Sequence, residues 1–450
     1  MDVNTTKLDY SVPALARMSW PVFIELLLQL LVGNMDQVQL SHFNDTAVAA
    51  VGNANTVITV VQLTFTVVSM AATILITQYR GAGQTGQVNR ICTLSVCVNG
   101  LLAAVLAAGI TLFAGPLLGL MQVPAELMDE AAAYLRITAL ALPFQALMLT
   151  FSAFLRAGAH MKVIMCITGL VNVCNIAGNA VLINGLGPFP RLGAAGAALS
   201  SSIFRAVGLL LMAWAFFRAE PGVRLSRRDV WPMPGHLLRR LLAIGLPAGG
   251  ESLSYNLSQA SCLVFVNLMG TYVVTTRMYA AMFANCIYML VMAISQAGQV
   301  LVGYLVGARD LDGAHRCTLR VLKLSCPITV GLAVVMALLG GPLFSLFTSD
   351  PRILALGRQI LWVEVLLEVG RSVNIVMVRH LQAAGDVRFP VVLGIVCQWA
   401  VAVGLGWLLG VHLGMGLVGL WLAFAADENI RAVLLLTRWM RGKWRTMKTI

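Results

Sequence analysis

Trp20-Pro21-Val22-Phe23-Ile24-Glu25 is written again, 226 residues later, as Leu246-Pro247-Ala248-Gly249-Gly250-Glu251. The offset persists along the chain. Gly81-Ala82 falls on Gly307-Ala308, Gly115-Pro116-Leu117 on Gly341-Pro342-Leu343, and Leu155-Arg156-Ala157 on Leu381-Gln382-Ala383. After a three-residue gap, Gly193-Ala194-Ala195-Gly196 meets Gly416-Leu417-Val418-Gly419. Such a unit is too long for a solenoid repeat, and each copy is almost wholly apolar. In membrane proteins, two copies of this kind build two halves around a central site.

The composition points the same way. Of 450 residues, 59% are apolar and 11% are charged. Water offers no shelter for so much apolar surface, whereas a bilayer does. Apolar runs long enough to cross number about twelve. They lie near 14–40, 47–78, 92–115, 131–155, 162–184 and 193–217, and again near 239–266, 272–305, 317–340, 357–381, 390–411 and 415–438. An even number of spans per copy makes the copies parallel repeats, related by a pseudo-twofold axis along the membrane normal. The expected class is an all-α integral membrane protein with two six-helix bundles: residues 1–218, a linker at 219–238, and 239–450 with a basic tail. Small residues such as Gly196 and Gly419 are expected to bring helix backbones close together.

The net charge of +12 is distributed as a topology signal rather than as a nucleic-acid footprint. Lys and Arg gather in the loops and tails of one side, among them Arg224, Arg227, Arg228, Arg239 and Arg240. The opposite side holds Arg191, Arg277, Arg352 and Arg358. This asymmetry predicts cytoplasmic N- and C-termini in a plasma membrane, the inner membrane of a bacterium. The basic segments are expected to meet lipid headgroups. The nine cysteines and six histidines form no Cys-x-x-Cys or metal-binding spacing, so neither a disulfide framework nor a metal site is expected. The first span contains Pro21, Glu25 and Asp36 and is no cleavable leader. No Walker-type phosphate loop appears, which excludes ATP-driven pumping within this chain. Nor do catalytic groups converge as an enzyme requires.

The ordered set of motifs resembles the multidrug and toxic compound extrusion (MATE) family over essentially the whole chain. It comprises Trp20-Pro21 and Asp36 on the first span, Gln78-Tyr79-Arg80-Gly81-Ala82-Gly83, its partner Val306-Gly307-Ala308-Arg309, and Leu381-Gln382-Ala383-Ala384-Gly385-Asp386. The resemblance implies a V-shaped pair of bundles with a central cleft. It also implies export of amphipathic, often cationic compounds in exchange for protons or sodium ions, with no other cofactor. A monomer is expected. The alternative within the same superfamily is a flippase for lipid-linked precursors, which would need a cleft rich in Arg and Lys to hold pyrophosphate.

Polar residues inside the spans are the candidate site. Asp36 leads them, because a carboxylate at such depth costs roughly 2.5–3.5 kcal/mol on insertion scales and therefore faces a cavity. Glu25 and Gln29 share its helical face, and Pro21 supplies a bend or hinge. In the family, an acid at this spacing from the proline is a proton or cation site. On the fifth span Asn172, Asn175 and Asn179 form a polar stripe that suits a neutral acid or sodium. Some family members carry a second acid there, and this chain has amides instead. In the second copy, Glu251 with Tyr255 on the seventh span, and Glu364, Glu368 and Arg371 on the tenth, are secondary candidates. Cys262 stands where the repeat would place a second Asp36. Glu25 lies close enough to its helix end to reach headgroups, and Glu368 and Arg371 are spaced to neutralise one another. On the eighth span Met278, Met282, Asn285, Met289, Met292 and Gln296 recur at helical steps, a flexible face for unlike substrates.

Overall fold

The computed structural model describes residues 9–41, 45–185, 190–231 and 234–447. Among these residues every regular element is helical and no strand occurs. The first copy contains α1 (Val12–Ser41), α2 (Asp45–Gly81), α3 (Thr85–Leu120), α4 (Ala125–Leu140), α5 (Leu142–Ala157), α6 (Met161–Asn184) and α7 (Gly193–Ala219). The second contains α8 (Gly235–Asn267), α9 (Thr271–Gly307), α10 (Leu311–Leu338), the short α11 (Gly340–Ser345), α12 (Pro351–Ala383), α13 (Arg388–Cys397) and α14 (Gly416–Met440). α13 continues as π-helix to His412.

Among the described residues, eight helices are long and apolar enough to cross a bilayer, and the bent pair α4–α5 adds a ninth span. α8, α12 and α14, at 33, 33 and 25 residues, also have the length. Their mid-helix residues are polar: Ser254, Tyr255 and Asn256 in α8, Glu364, Glu368 and Arg371 in α12, and Asp427, Glu428 and Arg431 in α14. The twelve-span, multi-pass layout is therefore complete, and the three helices interrupted in this way all belong to the second copy. One expected span has a different form. Residues 131–155 are two helices meeting at 45°, because Pro143 at the start of α5 lacks an N–H and its ring excludes the carbonyl four residues before it.

By packing, the chain divides into two compact units. One holds the residues up to Phe23 together with everything from Leu246 onward, and the other holds Ile24–Gly245. α1 and α8 therefore each begin in one unit and end in the other. The change-over falls beside a proline in both, Pro21 in α1 and Pro247 in α8. At the start of α1, Leu15 is buried among Ile294, Leu301, Val321 and Trp439. Tyr10 lies under the Arg320 guanidinium, 4.7 Å from ring to charge. At the start of α8, Leu237 and Leu241 are buried, and Arg240 donates to the Tyr79 hydroxyl at 2.9 Å.

The core of the Ile24–Gly245 unit is rich in alanine, including Ala50, Ala54, Ala103, Ala107, Ala131, Ala146 and Ala198. Small side chains let helices approach where lipid supplies no hydrophobic drive between them. Close backbone approach occurs at two glycines that correspond in the repeat. A methyl group on Gly196 would lie 2.5 Å from the Leu182 carbonyl oxygen, and one on Gly419 would lie 2.8 Å from that of Leu409. In both, α7 or α14 leans on the backbone of the helix before it.

Gly196→Ala and Gly419→Ala should each destabilise the protein by about 1–3 kcal/mol, the usual cost of overpacking. The readout is the melting temperature of the purified protein in detergent. Gly109→Ala, whose added methyl meets nothing within 4 Å, should melt like the parent.

Candidate functional site

In the Ile24–Gly245 unit, polar groups converge where α1 meets α5, α6 and α7. Glu25 lies one turn after Pro21 and is 5% exposed. Arg156, in the last turn of α5, donates from Nη2 to both of its oxygens at 3.0 and 3.2 Å. Glu25 therefore does not reach the headgroups as its helix-end position suggested. A buried carboxylate needs a cation, and the α5 terminus brings one within reach. Gln29, exposed one turn further along, comes within 3.5 Å of the same carboxylate. Asp36 lies two turns beyond Gln29 on α1, and its side chain lies outside the described residues.

α1 is fixed to α6 by Gln39, whose Nε2 donates to the Ile176 carbonyl at 3.1 Å. The α6 stripe then continues into α7. Asn175 donates to the Ser201 hydroxyl at 3.2 Å, and the Ser200 hydroxyl donates back to the Asn175 carbonyl at 3.2 Å. Asn175 and Asn179 are buried, and the Asn172 amide nitrogen is buried with no hydrogen-bond partner among the described residues. Gly178 makes the approach possible, since a methyl there would come within 2.6 Å of the Ser200 hydroxyl. Ser200 and Ser201 were not among the sequence candidates, because serine in an Ala/Gly-rich helix start carries no distinguishing pattern.

The other unit carries its charge on α12 and α14. Arg371 donates from Nη1 to Glu364 at 2.9 Å and also to Glu368. The second Glu364 oxygen accepts from the Trp421 indole at 2.8 Å. One turn along α14, Arg431 donates to Asp427 and lies 3.1 Å from Glu428. Asn374 on α12 donates to the other Glu428 oxygen at 2.6 Å, joining the two halves of the network. Gly370 allows the two helices to touch, since a methyl there would lie 2.5 Å from the Asn429 nitrogen. Four carboxylates thus share two guanidiniums. Glu364, Glu368, Asp427 and Arg431 are buried, and among the described residues Glu368 Oε2 and Asp427 Oδ1 have no hydrogen-bond partner. Asn374, Trp421, Asp427, Glu428 and Arg431 were not singled out from sequence. The Asp427-Glu428 pair inside an apolar run was the available signal.

Glu251 stands apart. Its carboxylate packs beside Gly394 of α13, 2.6 Å from where a Cβ would be. Among the described residues no ion pair engages it, whereas its repeat mate Glu25 holds Arg156. Tyr255, one turn on, is 45% exposed. Along α9 the methionine face runs from surface to interior. Met278, Met282 and Asn285 are exposed, Met289 and Met292 are half-buried, and Gln296 is buried. The Met292 sulfur lies 3.6 Å from the Arg379 guanidinium, which also donates to Gln299 at 3.2 Å. Among the described residues no three His, Cys, Asp or Glu side chains group around a metal position.

Ion pairs also close the loop-side ends of both units. Arg80 at the end of α2 donates to Glu220 at 2.6 Å, with His160 3.4 Å from the same oxygen. Burial pushes the Glu220 carboxyl up, but the His160 hydrogen bond and the Arg80 charge together hold it below the usual carboxylate range. In the other unit Arg438 donates to Asp386 at 2.7 Å.

Comparison with known proteins gives a consistent outcome. The MatE family model matches residues 21–181 and again 247–408. YisQ of Bacillus subtilis, an uncharacterised transporter, is 36% identical over 431 residues, covering 96% of this chain and 94% of its own. The probable multidrug resistance protein NorM of Thermotoga maritima is 26% identical over 436 residues, with 96% and 92% coverage. The fold matches the crystal structure of MATE in the bent conformation with a TM-score of 0.88 at 20% identity, over 95% of this chain and 94% of that one.

Removing one partner of a buried ion pair costs about 3–5 kcal/mol, because the other charge is left alone. Arg156→Gln should therefore melt well below the parent. The double substitution Glu25→Gln with Arg156→Gln should recover most of that loss.

Proposed function

This chain belongs to the MatE family and is a transporter rather than an enzyme, and we propose that it exports amphipathic, often cationic compounds by antiport against protons or sodium ions. The observation that carries the coupling is the joined network in which Glu364, Glu368, Asp427 and Glu428 share only Arg371 and Arg431. Two surplus negative charges in a largely desolvated network cost several kcal/mol each unless a proton or a cation accompanies them. A site of that kind loads and releases positive charge as its access to water changes. Glu368 Oε2 and Asp427 Oδ1, buried without partners, are the places for it to load.

Asp36 with Asn172, Asn175 and Asn179 is the proposed second site, in the Ile24–Gly245 unit. The amide and hydroxyl oxygens there suit a neutral acid or a sodium ion. Exchange requires that ion and drug disfavour one another in at least one state, since otherwise each would move without the other. The exposed Met278, Met282 and Asn285, and the unpaired Glu251, are the groups proposed to meet substrate. A thioether face adapts to different shapes, and a carboxylate selects cations. The helices α1 and α8 are proposed to bend at Pro21 and Pro247, where each passes from one unit to the other. The proposal has the protein act as a monomer in the bacterial inner membrane, with both termini in the cytoplasm. The flippase reading has less support. It needs free basic groups, and Arg371 and Arg431 are each held by two carboxylates.

The test is loading of a fluorescent cation into vesicles carrying the purified chain, energised by a proton gradient or a sodium gradient in turn. One gradient should drive transport and the other should not. Asp36→Asn, and Glu368→Gln combined with Asp427→Asn, should each lower gradient-driven transport on the order of ten-fold or more at unchanged expression, the scale of a coupling free energy. Undiminished transport in both variants would remove the proposed coupling.

A further inference from the structure

We infer that the start of α8 forms a site for the phosphate of an anionic lipid headgroup. His236, Arg239, Arg240 and Ala243 recur at helical steps and, with Gly235, line an open cavity of about 510 Å³ within the Ile24–Gly245 unit. His236 and Arg239 are exposed and Arg240 is half-buried. The Tyr79 hydroxyl, accepting from Arg240 Nη1 at 2.9 Å, orients that guanidinium without neutralising it. Elsewhere at helix ends, Arg80, Arg438 and Arg445 are all matched by carboxylates. Among the described residues no carboxylate pairs with His236, Arg239 or Arg240. A concave site with two unneutralised guanidiniums, one of them held in place, suits a phosphate, which accepts from Arg240 in a planar fork.

The depth of the site argues for lipid as the source. The first turns of α8 lead into a membrane-spanning helix, so the cavity opens at headgroup level. Just before it, Trp231 is 85% exposed, the behaviour of an interfacial anchor rather than of a core residue. Arg224 and Arg228 are also exposed on the same linker and extend the basic surface. A bound headgroup would fasten the segment that precedes the Gly245/Leu246 change-over, so the anionic lipid content would set how freely α8 bends at Pro247.

The experiment uses the delipidated full-length chain in detergent. It is titrated separately with short-chain phosphatidylglycerol, short-chain phosphatidylcholine and inorganic phosphate, and binding is read by native mass spectrometry. Phosphatidylglycerol should bind in preference to the other two. Arg239→Gln and Arg240→Gln should each weaken it roughly five-fold, the change expected for one basic group at an anionic surface. Arg239→Lys, which keeps the charge but not the fork, should lose less affinity than Arg239→Gln, and melting temperatures recorded alongside exclude loss of fold as the cause. Equal binding of the two lipids, or no loss in the Arg239→Gln/Arg240→Gln double variant, would overturn the site. Phosphate binding as tightly as phosphatidylglycerol would overturn the lipid as its occupant.

Discussion

Charge taken out of water must be matched nearby, and most of the polar architecture of this protein follows from that constraint. Hydrocarbon offers no hydrogen bonds, so the backbone is forced into helices and each deep carboxylate needs a partner. Glu25 finds Arg156 across the α1–α5 junction. Glu364 and Glu368 divide Arg371, and Asp427 and Glu428 divide Arg431. The first arrangement is balanced and holds a helix in place. The second is short of positive charge, and such a shortage is what a site needs if it is to take up and surrender a cation or a proton. Position relative to partners, more than the number of acids, separates a structural ion pair from a candidate coupling site.

The same matching explains how α1 and α8 are anchored. Each begins in one packing unit and continues in the other, with a proline beside the change-over. A helix that contains proline lacks one backbone hydrogen bond there and yields at that point most easily. On either side of Pro21, specific contacts hold the two arms: Tyr10 and Leu15 before it, and Glu25 and Gln39 after it. Firm attachment of both arms concentrates any bending at the proline between them.

The fold was largely legible in the sequence, since apolar runs and the 226-residue offset report on each segment by itself. Span 131–155 was found, but its break at Pro143 was not, because that proline lies in an otherwise apolar run and apolarity records burial but not direction. The site was less legible. Glu25 and Arg156, or Asn374 and Glu428, are far apart in sequence, and no local pattern says that they meet. The Glu364, Glu368 and Arg371 face was visible because all three lie on one helix at helical spacing. Asp427, Glu428 and Arg431 share that property on α14, and only their partners on α12 reveal the carboxylate excess.

What the two copies kept and what they changed can be separated by the physics of each position. Gly196 and Gly419 both let a helix rest on the backbone before it, and any side chain would overlap main-chain atoms that have nowhere to move. Packing of that kind constrains both copies alike. A buried charge is constrained only by its partners, so it is free to change once they do. Glu25 and Glu251 are repeat mates, but Arg156 is matched by Gln382, and among the described residues Glu251 is left without an ion pair. Asp36 is matched by Cys262. One unit therefore gathers amides and hydroxyls around α6 and α7, while the other gathers carboxylates and guanidiniums on α12 and α14. Similar scaffolds with dissimilar polar interiors give a transporter two chemically distinct environments, one in each unit.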